Sequence, residues 1–157
     1  MSHKPLTAWR CDKCGERVDE KNGWLEWEAG ENYGPRNFKI VHNQKKCCFH
    51  DASKDRKDNH LRDYLGTDGR ELLLTILYPG DFFVKNFTQG EWDSPDIPQF
   101  TEILRRLHVS YYEEARPYLS QAYSNYEMDG ANEGTITSSS FCERIFSKYK
   151  DSDDVLV

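Results

Sequence analysis

Long apolar runs are missing from this 157-residue sequence, and hydrophobic residues make up only 37% of it. The longest apolar run lies within ELLLTILY, well short of the ~20 apolar residues that a membrane-spanning helix needs. The first residues, MSHKPLTAW, also lack the apolar segment of a secretory signal peptide. These absences exclude a predicted membrane span and favour a cytoplasmic protein.

The short motifs that mark common enzyme sites are missing too. Gly66 and Gly69 do not belong to a phosphate-binding loop of the form G-x-x-x-x-G-K-[ST], which leaves nucleotide binding without support. The metalloprotease motif H-E-x-x-H, the zinc-deaminase motif and the serine nucleophile elbow are absent as well. The sequence therefore favours a non-enzymatic protein over an enzyme.

Basic charge is in short supply, since 21 Lys and Arg residues stand against 27 Asp and Glu residues. The net charge is -6, and an acidic chain can bind nucleic acid only through a local basic face. Aromatic residues, by contrast, make up 13% of the sequence. Disordered chains are poor in aromatic residues, so we expect a folded protein with a thin, aromatic-rich core.

Cysteine is scarce as well, yet four of the five cysteines fall in two short stretches. The first stretch, CDKCG, contains Cys11 and Cys14, and Gly15 allows the backbone to turn tightly after them. The second stretch, HNQKKCCFH, contains Cys47 and Cys48 between two histidines. In a reducing cytosol, such clusters bind metal ions more often than they form disulfides.

Zinc is the metal that these residue types predict, because Zn²⁺ prefers four tetrahedral ligands drawn from thiolate and imidazole groups. The simplest pattern, C-x₂-C with C-x₂-H, gives the quartet Cys11, Cys14, Cys47 and His50. His42 is the alternate for His50, and Cys48 is the alternate for Cys47. Since two or more thiolates damp the Lewis acidity of the metal, we expect structural Zn²⁺. Buried thiols without metal, a redox-active pair and an iron–sulfur site are the competing interpretations.

The strand-flanked CDKCG knuckle and the second Cys/His knuckle together resemble the zinc-ribbon and treble-clef class of small zinc folds. The resemblance covers residues 8–52 and rests on the spacing of the metal ligands. It implies a β-hairpin held by a structural zinc ion. The class has two regular ligand pairs, whereas the second cluster here offers four candidate ligands, so the last two ligands stay open.

The alternation of GWLEWEAG predicts one strand, and FKIVH predicts a second. After Leu61 the apolar spacing becomes helical and predicts about four helices, with a break at Pro117. Residues 51–59 are predicted as a charged connector, and residues 80–96 as a long loop. The prediction is an α+β fold, with a zinc-stapled β-hairpin module over residues 1–55 and a helical part over residues 56–157. Whether the two parts share one core stays open.

Two aromatic segments are candidate surfaces for binding another protein. The long loop contains Phe82, Phe83 and Trp92, and the segment SYYEEARPY contains Tyr111 and Tyr112. Long ordered loops often carry function. We therefore expect a zinc-stabilised protein-interaction or regulatory module, of the adaptor or inhibitor type, whose oligomeric state the sequence leaves open.

Two alternative functions fit parts of the same sequence. Nucleic-acid binding would use residues 42–57, where basic residues surround Phe49 and alternate with acidic ones. The basic residues are Lys45, Lys46, Lys54, Arg56 and Lys57. A metal-dependent hydrolase would instead need His42 or His50 beside an open coordination position on zinc.

Overall fold

The computed structural model describes residues 8–152 and confirms the predicted α+β class. The five strands of the described part all lie before residue 61, and its α-helices all follow residue 65. The described chain forms two units, residues 8–108 and residues 109–152. The division into these two units follows residue 108.

The strands form two small antiparallel sheets. In the first, β1 (Trp9–Arg10) pairs with β2 (Arg17–Val18). In the second, β3 (Gly23–Gly30) lies between β4 (Tyr33–His42) and β5 (Arg56–His60). Both predicted strands of the hairpin are therefore present, since GWLEWEAG is β3 and FKIVH lies within β4.

The β3–β4 hairpin combines alternating burial with a register that fixes the position of His42. Leu25 is opposite Ile40, and both side chains are fully buried. Continuing the register by two residues puts His42 opposite Gly23, at the open end of the hairpin. A Cβ atom on Gly23 would lie 2.7 Å from side-chain atoms of Leu61 and Val18, so only glycine fits there.

β5 corrects the sequence prediction, which had a charged connector over residues 51–59. The strand has the sequence RKDNH and pairs along β3 from Trp24–His60 to Glu28–Arg56. Its side chains show no apolar alternation because β5 lies at the edge of the sheet, and charged residues are common on edge strands. Backbone pairing therefore forms this strand without the usual sequence signal.

Three helices belong to the unit of residues 8–108: α1 (Gly66–Leu77), α2 (Asp81–Phe87) and α3 (Ile97–His108). Helix α3 packs on β4, where the rings of Phe100 and Phe38 lie 5.7 Å apart, centroid to centroid, in an edge-to-face contact. Helix α2 corrects the prediction of a loop over residues 80–96. The sequence shows no helical spacing of apolar residues here, because Val84 is the one buried residue of α2.

The unit of residues 109–152 is helical, with α4 (Tyr112–Ala115), α5 (Leu119–Ser124), α6 (Glu133–Ile136) and α7 (Ser139–Tyr149). A 3₁₀ turn over Arg116–Tyr118 separates α4 from α5 at Pro117, as the sequence predicted. The described residues therefore contain seven short α-helical segments instead of about four. The core of the unit of residues 109–152 consists of Ala115, Ala122, Phe141, Cys142, Ile145 and Tyr149.

Within residues 8–152, no helix combines the length and the apolar character that a bilayer span requires.

Candidate metal centre

The first two thiols lie on the tight turn between β1 and β2. The amide of Gly15 donates to the carbonyl of Cys11 at 2.9 Å, and the amide of Cys11 donates to the carbonyl of Glu16 at 2.8 Å. Gly15 has a φ of 78°, a left-handed conformation that costs glycine little. This turn brings the side chains of Cys11 and Cys14 together, as their C-x-x-C spacing predicts.

The other two donors come from the end of β4 and the turn that follows it. His42 is the last residue of β4, and Cys47 ends a 3₁₀ turn that begins at Lys45. The amide of Gln44 donates to the carbonyl of His42 at 2.7 Å, and the amide of Cys47 donates to the carbonyl of Gln44 at 2.9 Å. These two bonds fold the chain back, so that Cys47 returns to the side chain of His42.

The donor atoms of Cys11, Cys14, His42 and Cys47 all lie within 4.8 Å of one another, and this group could hold a metal ion. Nδ1 of His42 lies 3.5 Å from Sγ of Cys14 and 3.6 Å from Sγ of Cys47. Three of the four residues are buried, and Cys14 is exposed. The cluster therefore lies at the edge of the unit, with one ligand accessible to solvent.

The hydrogen bonding of His42 leaves one ring nitrogen free to act as a ligand. Its Nε2 lies 2.9 Å from the backbone carbonyl oxygen of Arg17. A carbonyl oxygen can only accept a hydrogen bond, so Nε2 carries the proton. The neutral imidazole then has its lone pair on Nδ1, the atom that faces the thiols. An outer-shell carbonyl of this kind is the usual way in which proteins orient a metal-binding histidine.

The thiols of the cluster differ in acidity. Burial by itself raises the pKa of Cys11, but hydrogen bonds from the backbone amides of Cys14, Lys13 and His42 outweigh it and lower that pKa to about 7. The pKa of Cys47 rises to about 11, because the thiol is buried and the sulfurs of Cys14 and Cys11 lie next to it. A cation among these sulfurs would relieve the repulsion between them.

His50, predicted as the fourth ligand, lies outside this cluster. Its Nε2 is 2.6 Å from the carbonyl oxygen of Asn37, and its Nδ1 is 3.8 Å from a carboxylate oxygen of Glu28. The 3₁₀ turn ends at Cys48, whose φ of -59° and ψ of 117° are not helical, so the C-x-x-H spacing does not form a second knuckle. His42, the alternate in the sequence prediction, therefore takes the position expected for His50.

Cys48 also lies away from the cluster. Its Sγ donates to Oε1 of Glu26 at 3.3 Å, while the sulfur of the adjacent Cys47 faces the three other donors. The pKa of Cys48 is raised by burial and by the neighbouring Glu26 carboxylate. The double cysteine thus supplies one candidate ligand and one thiol with a different contact.

Glu26 organises the segment after the second turn, and the sequence prediction did not include it. Its carboxylate is fully buried and accepts hydrogen bonds from the amides of Phe49 at 2.8 Å and His50 at 2.7 Å. Nε of Arg56 donates to the same carboxylate at 2.9 Å. Burial alone would raise the pKa of Glu26, but the bonds from Arg56, the His50 amide and Cys48 outweigh it and lower that pKa.

Asp12, between the two cysteines of the first knuckle, links that knuckle to the sheet and to α3. Its Oδ2 accepts hydrogen bonds from the amide of Ile40 and from Nη1 of Arg106, both at 2.7 Å. Arg106 is only 3% exposed, and its backbone carbonyl accepts a hydrogen bond from the indole of Trp9 at 2.9 Å. An arginine at helical spacing in IPQFTEILRRLHV gives no sequence signal for this contact.

Three of the predicted partner-binding residues, Phe82, Phe83 and Trp92, lie together with Phe87 of the same segment. The ring of Phe83 lies 5.2 Å from that of Phe87 and 6.4 Å from that of Trp92, and Phe82 lies 6.4 Å from Phe87, measured between centroids. We refer to Phe82, Phe83, Phe87 and Trp92 as the α2 aromatic cluster. Phe82 is 76% exposed and Phe87 is 69% exposed, so much of this cluster faces solvent.

Tyr111 and Tyr112, the other two predicted partner-binding residues, have a different environment. Both are partly buried against the core of the unit of residues 109–152. The ring of Tyr111 lies 6.3 Å from that of Phe146 on α7, centroid to centroid. Much of their apolar surface is therefore already in contact with the fold.

Neither protein-family models, nor curated proteins, nor solved structures gave a match to this chain. The geometry and the chemistry of its own residues are therefore the basis for inferring a function.

Proposed function

We propose that this protein is a zinc-stabilised, non-enzymatic module that binds another protein through the α2 aromatic cluster. The observation that carries the proposal is the exposure of that cluster: α2 buries Val84, while Phe82, Phe83 and Phe87 are 76%, 41% and 69% exposed. Clustered aromatic rings are common at the centres of protein interfaces and uncommon on free surfaces. A partner that covers these rings would remove that apolar area from water.

Zinc is the metal that best fits the donors of Cys11, Cys14, His42 and Cys47. A tetrahedral zinc ion, with sulfur ligands at about 2.3 Å and nitrogen ligands at about 2.0 Å, holds sulfur and nitrogen about 3.5 Å apart. The two sulfur–nitrogen distances at His42 are 3.5 Å and 3.6 Å. Soft thiolate ligands also favour zinc over magnesium or calcium, which prefer oxygen.

Four protein donors support a structural role for the zinc ion. Structural sites use four protein ligands, whereas catalytic sites keep one position open for water or substrate. The hydrolase alternative needs a histidine beside an open position. His42 would be a ligand, and the ring of His50 already contacts Asn37 and Glu28, so neither is left as a general base. Zinc would instead hold the first knuckle to the end of the β3–β4 hairpin.

The charge of the segment that contains the α2 aromatic cluster favours a basic partner. Residues 66–96 contain six acidic and two basic residues, so this segment has a net charge of -4. All six acidic side chains are exposed: Asp68, Glu71, Asp81, Glu91, Asp93 and Asp96. An amphipathic segment with Lys or Arg beside its apolar residues would complement this surface. A second copy of the chain would bring like charges together at the same surface.

Peptide selection on the zinc-loaded full chain tests this proposal. A random peptide library is selected against the protein and counter-selected against Phe82→Ser/Phe87→Ser. We expect the enriched peptides to combine Lys or Arg with large apolar residues, and to lose about 10-fold or more in affinity for the double variant. Tyr123→Ser is the matched control, because Tyr123 is an equally exposed ring, at 72%, outside the cluster.

Three outcomes would contradict the proposed occupant of the cluster. The first is enrichment of acidic or uncharged peptides, and the second is equal binding of the selected peptides to wild type and to the double variant. The third is a dimer in analytical ultracentrifugation that dissociates on Phe82→Ser/Phe87→Ser, since that result would make a second copy the partner.

A further inference from the structure

A second surface, beside the metal centre, has the opposite charge. The sequence from Asn32 to His50 contains no acidic residue, although the chain as a whole has a net charge of -6. The same stretch contains Arg36, Lys39, Lys45 and Lys46. Lys45 and Lys46 are exposed and belong to the 3₁₀ turn that ends at Cys47. The second turn of the metal centre is therefore locally basic in an acidic protein.

An aromatic ring lies among these positive charges. Nζ of Lys39, on β4, is 4.6 Å from the centroid of the Phe49 ring, and Nζ of Lys13, on the first knuckle, is 5.6 Å from it. Phe49 is 39% exposed. Three separate parts of the chain thus bring two ammonium groups and one accessible ring to a single face, which we call the Phe49 face.

Buried contacts hold the backbone at Phe49 in place. The Phe49 amide donates to the fully buried carboxylate of Glu26 at 2.8 Å, and the ring of His50 lies 5.3 Å from the Phe49 ring, centroid to centroid. Arg56 also donates to Glu26 and pairs with Asp58 at 2.7 Å, so its charge is already compensated. Within the candidate segment 42–57, the lysines are therefore more available to a phosphate than Arg56 is.

We propose that the Phe49 face binds single-stranded nucleic acid, with a base stacking on Phe49 and with phosphates contacting Lys13, Lys39, Lys45 and Lys46. Proteins that bind single strands combine a positively charged surface with aromatic side chains on which unpaired bases stack. A base in a duplex is already stacked on its neighbours and does not offer its face to a ring. This inference does not depend on the α2 aromatic cluster or on its partner.

The first test measures fluorescence anisotropy of a labelled oligonucleotide, about twelve nucleotides of poly-dT or poly-U, with the zinc-loaded full chain. Binding is expected at about 50 mM salt. The plot of log K against log salt should have a slope of about -2 to -3, because each phosphate that one of the four lysines neutralises contributes about -0.7 to the slope. Lys39→Gln and Lys45→Gln should each make the slope shallower by about 0.7.

Phe49→Leu separates stacking from charge. It keeps an apolar side chain over the same backbone and should weaken binding by about 5- to 100-fold, with an unchanged salt slope. Lys85→Gln is the matched charge control, because Lys85 is an exposed lysine on α2, and it should leave the slope unchanged. Zinc content and circular dichroism establish that each variant is folded.

Several results would overturn the inference. They are no binding at about 50 mM salt, equal affinity of wild type and folded Phe49→Leu, and equal or tighter binding of the matching duplex. Binding to heparin that exceeds binding to the oligonucleotide would also overturn it, because it would reveal a general polyanion surface without base stacking.

Discussion

His42 and His50 show how backbone position decides the role of a side chain. Both flank the same double cysteine in the sequence, and spacing alone favoured His50. The register of the β3–β4 hairpin places His42 opposite Gly23, close to the first knuckle, and the carbonyl of Arg17 fixes its tautomer. His50 lies beyond the end of the 3₁₀ turn at Cys48, and its ring contacts the carbonyl of Asn37. Only a residue-by-residue register reveals this difference.

The first prediction compares these two histidines. His42→Ala removes a ligand and should weaken zinc affinity by more than about 100-fold. Loss of an outer-shell partner, by comparison, costs about 10- to 100-fold. His50→Ala should keep the zinc affinity of the wild type within about 2-fold, since the variant keeps all four donors. Competition with a chromophoric zinc chelator measures both. Loss of zinc from His50→Ala, with retention by His42→Ala, would reverse the assignment.

Glu26 is the second residue whose role spacing could not reveal. In the sequence, Glu26 stands among the apolar residues Trp24, Leu25 and Trp27. An acidic residue in a strand is ordinarily expected to face solvent. The structure buries it completely and satisfies it with two amides, a guanidinium and a thiol. These bonds offset the cost of burying the charge.

The second prediction concerns pH and stability. The pKa of Glu26 is lower in the folded protein, so its contribution is present above the unfolded value of about 4.3 and is lost as pH falls through the folded pKa. At neutral pH, Glu26→Gln should lower the free energy of unfolding by about 2–3 kcal/mol. The difference should shrink as pH falls below about 4.3, and the two proteins should converge below the lowered folded pKa of Glu26.

Urea unfolding across this pH range, with wild type and variant compared at the same zinc content at each pH, measures that difference. Glu31→Gln is the control, since Glu31 is exposed in the turn between β3 and β4. A constant difference between wild type and Glu26→Gln at all pH values would show that the carboxylate charge does not stabilise the fold.

At the scale of elements, α3 and the first knuckle are joined by one buried ion pair. Arg106 on α3 reaches Asp12 at 2.7 Å and the carbonyl of Arg10 at 3.1 Å, while Asp12 also accepts the Ile40 amide. The knuckle, the hairpin and the helix therefore meet at a single carboxylate. Losing the guanidinium would leave a partly buried charge without its counterion.

The third prediction follows from that contact. Arg106→Gln should lower the free energy of unfolding by about 3 kcal/mol, the cost of breaking a buried pair. Arg105→Gln, one residue earlier and only half-buried, should cost about 0.5 kcal/mol or less. Chemical denaturation of the two zinc-loaded variants compares them directly. Equal stability of the two variants would show that the ion pair does not stabilise the fold.

The elements that sequence patterns could predict are those with a clear apolar period. Strands β3 and β4 alternate, α3 repeats Phe100, Ile103 and Leu107 on one face, and the CDKCG turn follows from its spacing. Helix α2 and strand β5 were missed for a physical reason. Helix α2 exposes its phenylalanines, and β5 is a polar edge strand, so neither has the pattern of a half-buried element.

For the whole molecule, net charge is a poor guide because the charges are segregated along the chain. The stretch from Asn32 to His50 has basic residues and no acidic ones, while residues 66–96 carry a net charge of -4. The net charge of the chain disfavours nucleic-acid binding, and the composition does not indicate which protein partner would bind. The structure adds an accessible aromatic group to each charged region, with Phe49 in the first and the α2 aromatic cluster in the second.

The fourth prediction, also for the whole molecule, is the cooperative loss of structure when metal is removed. The β1–β2 unit has only two residues in each strand, too few for independent stability. Zinc would join it to the end of β4 through bonds that are absent from the unfolded chain. Chelation of the metal should therefore lower the melting temperature, and restored zinc should recover it.

The zinc content of the adjacent cysteine variants is the most direct test of the central claim. Elemental analysis of the purified full chain should find about one zinc ion per wild-type chain, and the same content in Cys48→Ser. Cys47→Ser should lose most of its zinc, because the sulfur of Cys47 and not that of Cys48 lies among the other donors. A wild-type protein without zinc, or zinc lost from Cys48→Ser and kept by Cys47→Ser, would contradict the assigned metal centre.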